Sequence, residues 1–332
     1  MKKYIQIIAI LVFVCGVTYS SAQSIIKQSE ELGQVHWYRD YDKAVALSKK
    51  QNKDILILFQ EVPGCSTCRN YGHNVLSSPL MVEAIENSFI PLAIFNNKGG
   101  KDREVLNKFN EPTWNNPVVR IVDFNGKDVV QPINRDYSVS TLSKRIIEAL
   151  ESRNAEIPGY INLLEKELST SERGNLEEAH FKMYCFWTGE KQLGKVDGVV
   201  STKSGFADHS EVVKVKYDPT VVDKATLENY AQKNSFKPID ASRTYRPAKN
   251  DIHYYLRHTD YRYIPLTELQ QTKINSALGS RRSGYEYLSP KQLIWLNKVM
   301  HSKLKGKNLL ETNFEEAWAL KEKESMIASN NK

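Results

Sequence analysis

Cysteine is scarce in this chain, with four in 332 residues, at positions 15, 65, 68 and 185. That is too few for a disulfide scaffold. Cys65 and Cys68 are the one close pair, so a zinc or iron–sulfur centre built on two such pairs is excluded, and no metal site is expected. Long apolar runs are lacking too. The run Ile7 to Val14 falls short of the roughly 20 residues that span a bilayer, and no later segment could cross one. Charge of one sign does not dominate either. The formal net charge is +7, but lysines and arginines are interspersed with acids and no basic stripe alternates with aromatics. A nucleic-acid partner is therefore not expected.

What is present begins with Met1-Lys2-Lys3, the apolar run, and the small-residue patch Ser20-Ser21-Ala22 before Gln23. A basic start, a short apolar stretch and an A-x-A-like end read as a secretory signal peptide over residues 1–22. Lipidation at Cys15 fits less well, because bulky Val14 precedes it. Cleavage after Ala22 leaves Cys65, Cys68 and Cys185, an odd number, in an oxidising compartment. The expected location is therefore exported, periplasmic or secreted. The length suits two domains, assigned to 23–155 and 156–332 with the join near Glu151–Gly159.

The first half reads as helix, strand, cysteine pair, helix, strand, helix, hairpin, helix. Ala44 to Leu47 lie in an amphipathic helix ending near Gln51-Asn52, and Ile55 to Phe59 form a buried-type strand. Ser78-Pro79 opens a helix, and Phe89 to Phe95 is strand-like. A helix is expected near Asp102 to Phe109, then two β-rich runs joined by Asn125-Gly126, a two-residue hairpin signal, and a last helix from Ser140 to Glu151. This is an α/β order, with Cys65-Ser66-Thr67-Cys68 following the strand.

Cys-x-x-Cys after a buried strand and at a helix start resembles the thioredoxin-like family over roughly Val35 to Glu151, in the variant Val62-Pro63-Gly64-Cys65-Ser66-Thr67-Cys68. The resemblance implies redox-active thiols, and Pro117 stands where the family keeps a cis-proline beside its disulfide. A helix N-terminus stabilises the thiolate of the first cysteine, and the second lies one turn on to resolve a mixed disulfide. Cys65 is then the attacking thiol and Cys68 the resolving one.

The second half carries a helix over Tyr160 to Leu168, a flexible patch Ser169-Thr170-Ser171-Glu172-Arg173-Gly174-Asn175, and a strand around His180 to Tyr184. A short helix over Thr188 to Lys195, strands over Val199–Lys203 and Val212–Tyr217, and a helix over Lys224–Asn234 complete a βαββα order. That order suits a two-layer α+β sandwich. Cys185-Phe186-Trp187 at the strand-to-helix junction, Asp197-Gly198-Val199-Val200-Ser201-Thr202, His209-Ser210-Glu211-Val212-Val213 and Tyr217-Asp218-Pro219 together resemble the peptide methionine sulfoxide reductase A family over about Ala179 to Asn234. The resemblance implies Cys185 as nucleophile and Glu211 as the acid that protonates the departing oxygen. It also implies Phe186 and Trp187 as the apolar seat of the substrate. Met183 and Tyr184 stand where the family has glycines, and the loop before His209 is shortened to Ser204-Gly205-Phe206-Ala207-Asp208. Tyr261-Arg262 stands for the family's Tyr-Arg pair, making Tyr261 a substrate-binding candidate. The tail from Thr267 looks helical and polar, with Trp295, Leu296, Val299 and Met300 as its packing face. His253, His258 and His301 are expected at the surface or in structural roles.

The expected fold is thus α/β, a thioredoxin-like domain followed by an α+β two-layer sandwich of the methionine sulfoxide reductase A type. The expected activity is reduction of methionine sulfoxide in oxidised proteins through Cys185, recycled by Cys65 and Cys68. Partners would be those oxidised proteins and a thiol electron donor, with no cofactor. Two alternatives stand beside it. One is a thiol-disulfide oxidoreductase active only in its first domain, with the second binding substrate. The other is a non-catalytic holdase or metal-binding protein.

Overall fold

The computed structural model describes residues 28–303 and 305–330, so the expected leader over 1–22 lies outside the described residues. After a 3-10 turn at Glu30–Leu32, helix α1 spans Tyr41–Gln51. The Asp40 carboxylate accepts the Lys43 N–H at 3.0 Å to start it, and Asn52 in the left-handed region ends it. Then follow β1 (Ile55–Gln60), α2 (Ser66–Asn74), α3 (Pro79–Ser88), β2 (Ile90–Phe95), α4 (Lys101–Lys108), β3 (Val118–Val122), β4 (Ile133–Asn134) and α5 (Val139–Ser152). The first sheet runs β2-β1-β3-β4, with β1 parallel to β2 and antiparallel to β3. Strand β1 is buried on both faces. Leu56 and Leu58 pack towards α3 and α5, while Ile55, Ile57 and Phe59 pack towards α1 and α4.

The expected hairpin at Asn125-Gly126 forms only in part. The Asp123 carboxylate takes the N–H groups of Asn125 and Lys127 at 2.8 and 2.9 Å and closes the turn. The second arm makes a single bridge, Val122 to Asp128, and the strand that pairs with β3 is Ile133–Asn134. Pro132 has no N–H to offer a ladder in between.

The second half contains α6 (Gly159–Arg173), β5 (Glu177–Met183), α7 (Phe186–Leu193), β6 (Val199–Ala207), β7 (Ser210–Tyr217), α8 (Lys224–Lys233), β8 (Lys237–Ile239) and β9 (Arg246–Pro247). Its sheet runs β8-β5-β7-β6-β9, antiparallel throughout. The βαββα core is as expected, and the edge strands β8 and β9 are added to it. Two expectations are corrected. The patch from Ser169 is not flexible: α6 continues to Arg173 because Thr170 and Arg173 both bond the buried Asp218 carboxylate. Residues Ser204 to Ala207 are not a loop but the end of β6, and Asp208 and His209, both with positive φ, make the tight turn into β7.

The chain ends in α9 (Tyr254–Arg257), α10 (Glu268–Gly279), α11 (Pro290–His301) and α12 (Phe314–Asn330), with 3-10 turns at Asp260–Tyr263 and Tyr285–Tyr287. Thr267 with Gln270, and Ser289 with Gln292, form capping boxes that start α10 and α11. This tail is less polar than expected. Leu269, Ile274 and Ala277 of α10 are buried, as are Trp295, Leu296 and Val299 of α11, whereas Met300 is exposed. One apolar cluster runs from Leu76, Leu80 and Ile85 through Ile146 and Ala149 to Ile161, Leu164, Ile264, Ile274 and Trp295. The two halves therefore share a core across the 155/156 boundary. Among the described residues no helix is long and apolar enough to cross a membrane.

Candidate active sites

Strand β1 ends at Gln60, and the loop Glu61–Gly64 carries the chain back onto α2, where Cys65 occupies the cap position and Cys68 lies one turn in. Cys65 is exposed and Cys68 fully buried, with both thiols free and their sulfurs 3.8 Å apart. The N–H groups of Cys68 and Thr67 hold the Cys65 thiol below its ordinary pKa. Burial pushes Cys68 up to about 12, and the neighbouring Cys65 adds to the effect. The two thiols therefore differ in their environments: Cys65 is exposed with its pKa lowered, whereas Cys68 is buried with its pKa raised.

The surroundings fix this geometry. Asn116 Oδ1 accepts the Cys68 S–H at 2.8 Å, and the Asn116-Pro117 peptide that follows is cis. Gln60 Nε2 bonds the Glu31 and Cys68 carbonyls at 2.7 and 3.0 Å, and the Gly64 N–H donates to the Glu31 carboxylate at 2.7 Å. Glu31 reaches this position because the 3-10 turn presses against α2 at Gly72, where a Cβ would stand 2.0 Å from the Glu30 carbonyl oxygen. Sequence reasoning did not single out Glu31, Glu61 or Asn116.

Cys185 is the cap residue of α7 and half-exposed. Its own side chain makes no cap bond. Instead, the Glu211 carboxylate, from β7, accepts the Phe186 N–H at 2.8 Å. Met183 pairs with Glu211 across β5 and β7, so the strand register brings Glu211 to the start of α7. Met183 and Tyr184, the bulky residues before the cysteine, turn away in different directions. Met183 packs into the core against Gly189, and Tyr184 is 98% exposed. Phe186 is buried, edge-on to Phe206 with ring centroids 5.4 Å apart. Trp187 stacks on Tyr254 at 3.8 Å and donates its indole N–H to Asp251 Oδ1 at 3.1 Å.

Tyr261 is not part of this arrangement. It is buried in the shared core, its hydroxyl donates to the Ser283 carbonyl at 2.6 Å, and its ring stacks on Tyr285. The tyrosine that senses Cys185 is Tyr255, whose pKa is raised by burial and then by the neighbouring Cys185 and Tyr254. The sequence signal was an acid followed by adjacent tyrosines, Asp251-Ile252-His253-Tyr254-Tyr255. Glu190 anchors that segment. Fully buried on α7, it accepts the N–H groups of Ser204 and His253 at 2.9 and 2.8 Å, and burial raises its carboxyl to about 8. His253 is likewise buried, in a structural position, and burial lowers it to about 4.

Residues 36–123 match the family model described as thioredoxin-like. This segment is a thioredoxin-like domain. Among curated proteins, the chain is similar to the peptide methionine sulfoxide reductase MsrA of Salmonella arizonae, 30% identical over 98 residues, 24% of this chain and 46% of that protein. The same enzyme of Salmonella typhimurium is 29% identical over an equal stretch, again 24% of this chain and 46% of the relative. The chain thus spans less than half the length of these relatives. A solved DsbH oxidoreductase is 16% identical to this chain, with a TM-score of 0.31, covering 40% of this chain and 95% of that one.

Proposed function

We propose that the protein is an exported thiol oxidoreductase that reduces methionine sulfoxide in oxidised proteins at Cys185 and regenerates that thiol with Cys65 and Cys68. The observation that carries this reading is the Glu211 carboxylate bonded to the N–H of Phe186, the residue after Cys185. The similarity to methionine sulfoxide reductases supports it. In the first step the Cys185 thiolate attacks the sulfoxide sulfur while Glu211 delivers a proton to the oxygen. The protonated oxygen passes from the methionine sulfur to the Cys185 sulfur as the methionine leaves as its sulfide, so Cys185 becomes a sulfenic acid. The Cys65 thiolate then attacks that sulfur and water departs, leaving a Cys65–Cys185 disulfide. Cys68 attacks Cys65, which frees Cys185 and closes the Cys65–Cys68 disulfide, and an external thiol donor returns two electrons. Carrying both centres on one chain raises their effective concentration for each other.

The dithiol geometry and the family match favour one second reading, thiol-disulfide exchange by the thioredoxin-like domain with the second half binding substrate. Incubation with a methionine sulfoxide peptide and dithiothreitol separates the two. Loss of one oxygen from the peptide, abolished by Cys185→Ser, supports the first. Disulfide exchange without sulfoxide turnover overturns it in favour of the second.

A further inference from the structure

The dithiol has a third donor beside it that neither reading uses. The loop after β1 doubles back so tightly that a Cβ on Gly64 would stand 2.3 Å from the Glu61 carbonyl oxygen and 2.7 Å from the Cys68 Cβ. Glu61 is thereby folded over the cysteines. One carboxylate oxygen of Glu61 and the sulfurs of Cys65 and Cys68 all lie within 4.8 Å of one another, the one such convergence of three ligating side chains among the described residues. We propose that Glu61, Cys65 and Cys68 form a three-ligand site for a thiophilic divalent cation, zinc being the best fit, with a fourth position open to water.

The distances suit the ion. Two sulfurs bound to one tetrahedral zinc at about 2.3 Å each stand about 3.8 Å apart, and the sulfurs here are 3.8 Å apart before any ion is considered. The donor set, two soft sulfurs and one hard oxygen, matches a borderline cation and not calcium or magnesium, which take oxygen ligands. Asn116 Oδ1 accepts the Cys68 S–H at 2.8 Å, a bond given up when that proton leaves on metal binding. Exposure of Cys65 and partial exposure of Glu61 leave a route in from solvent. Binding exchanges the two S–H protons for one metal ion. The same sulfurs cannot be ligands and a disulfide together, so the ion occupies only the reduced protein and withholds it from exchange until it leaves. None of this depends on sulfoxide chemistry at Cys185.

Zinc alone is the probe. The purified protein, reduced and desalted under argon, is titrated with zinc against a chromogenic chelator. One zinc per chain is expected, with alkylation of Cys65 by iodoacetamide slowed when it is bound. Glu61→Gln should weaken binding at least about tenfold, Cys65→Ser should abolish it, and Cys185→Ser should leave it unchanged. No zinc held by the parent, or Glu61→Gln binding as tightly as the parent, overturns the proposal. Should Glu61→Gln not fold, cobalt decides. A tetrahedral visible spectrum with absorption of two sulfur ligands in the parent supports the site, and an octahedral spectrum overturns it.

Discussion

Glu211 on β7 and Phe186 on α7 are joined by a 2.8 Å hydrogen bond from the Phe186 N–H to the Glu211 carboxylate. The bond caps a helix whose own cap residue, Cys185, leaves its side chain free for chemistry. The same carboxyl can therefore hold the helix and deliver a proton, and the two roles separate by substitution. Glu211→Gln keeps an oxygen to accept the N–H but has no acidic proton. Its sulfoxide turnover should fall by about 10²- to 10⁴-fold, with a melting temperature close to the parent's. Glu211→Ala should lose both turnover and about 1 kcal/mol of stability. Equal turnover in Glu211→Gln and the parent would remove Glu211 from the chemistry.

Cys65 and Cys68 differ in exposure and in the direction of their pKa shifts. Brief treatment of the reduced protein with iodoacetamide at neutral pH should modify Cys65 and spare Cys68, as read by peptide mass mapping. Cys68→Ser should accumulate a mixed disulfide at Cys65 that the parent resolves. Preferential labelling of Cys68 would reverse the assignment of attacking and resolving thiols.

Much of this was legible in the sequence because it is local. A buried strand, a Cys-x-x-Cys pair and a proline-started helix are short-range signals, and the structure reproduces them at β1, α2 and α3. Cys185 at a strand-to-helix junction was equally plain. The contributions of Glu31, Glu61, Asn116 and Tyr255 were not, because each reaches its place through loop geometry or a contact distant in sequence that has no periodicity to read. Asn116 comes to Cys68 from 48 residues away. Tyr261 was assigned on a dipeptide, and burial with a bond to Ser283 puts it in the shared core instead. The polarity of the tail misled for a related reason: Gln270 and Gln292 are polar by type yet fully buried, bonded to each other at 2.9 Å.

Glu190 gives the protein a pH-dependent stability. Burial raises its carboxyl from 4.5 to about 8, opposed by the N–H groups of Ser204, His253 and Tyr254. The folded protein therefore holds this proton more tightly than the unfolded chain does. By linkage, its contribution is fully present below pH 4.5 and is lost as pH rises through about 8. Melting temperature should decline with pH across that window in the parent and decline less in Glu190→Gln. The variant should be less stable overall by about 1–3 kcal/mol, because an amide N–H₂ would face backbone N–H donors. Parallel slopes for the two proteins would show that Glu190 does not titrate there.

Gly72 couples packing to the dithiol. It lies in α2, where an added Cβ would meet the Glu30 carbonyl oxygen at 2.0 Å and the Glu31 backbone at 2.7 Å. Backbone cannot rotate away as a side-chain end can, so Gly72→Ala has to push the Glu30–Leu32 turn off the helix, at a cost of about 1–3 kcal/mol. That turn supplies Glu31, whose carboxylate holds the Gly64 N–H and whose carbonyl holds Gln60. Displacing it should loosen the loop that sets the separation of the two sulfurs. Gly72→Ala is therefore expected to lower the melting temperature and also to shift the Cys65–Cys68 reduction potential, measured by equilibration with glutathione. Gly174→Ala provides the control, because no atom stands within 4 Å of a Cβ there and it lies outside both sites. Its positive φ brings some loss of stability, but its reduction potential should match the parent's. A Gly72→Ala protein that is destabilised yet keeps the parent's potential would show that the Glu31 contacts support the fold without tuning the dithiol.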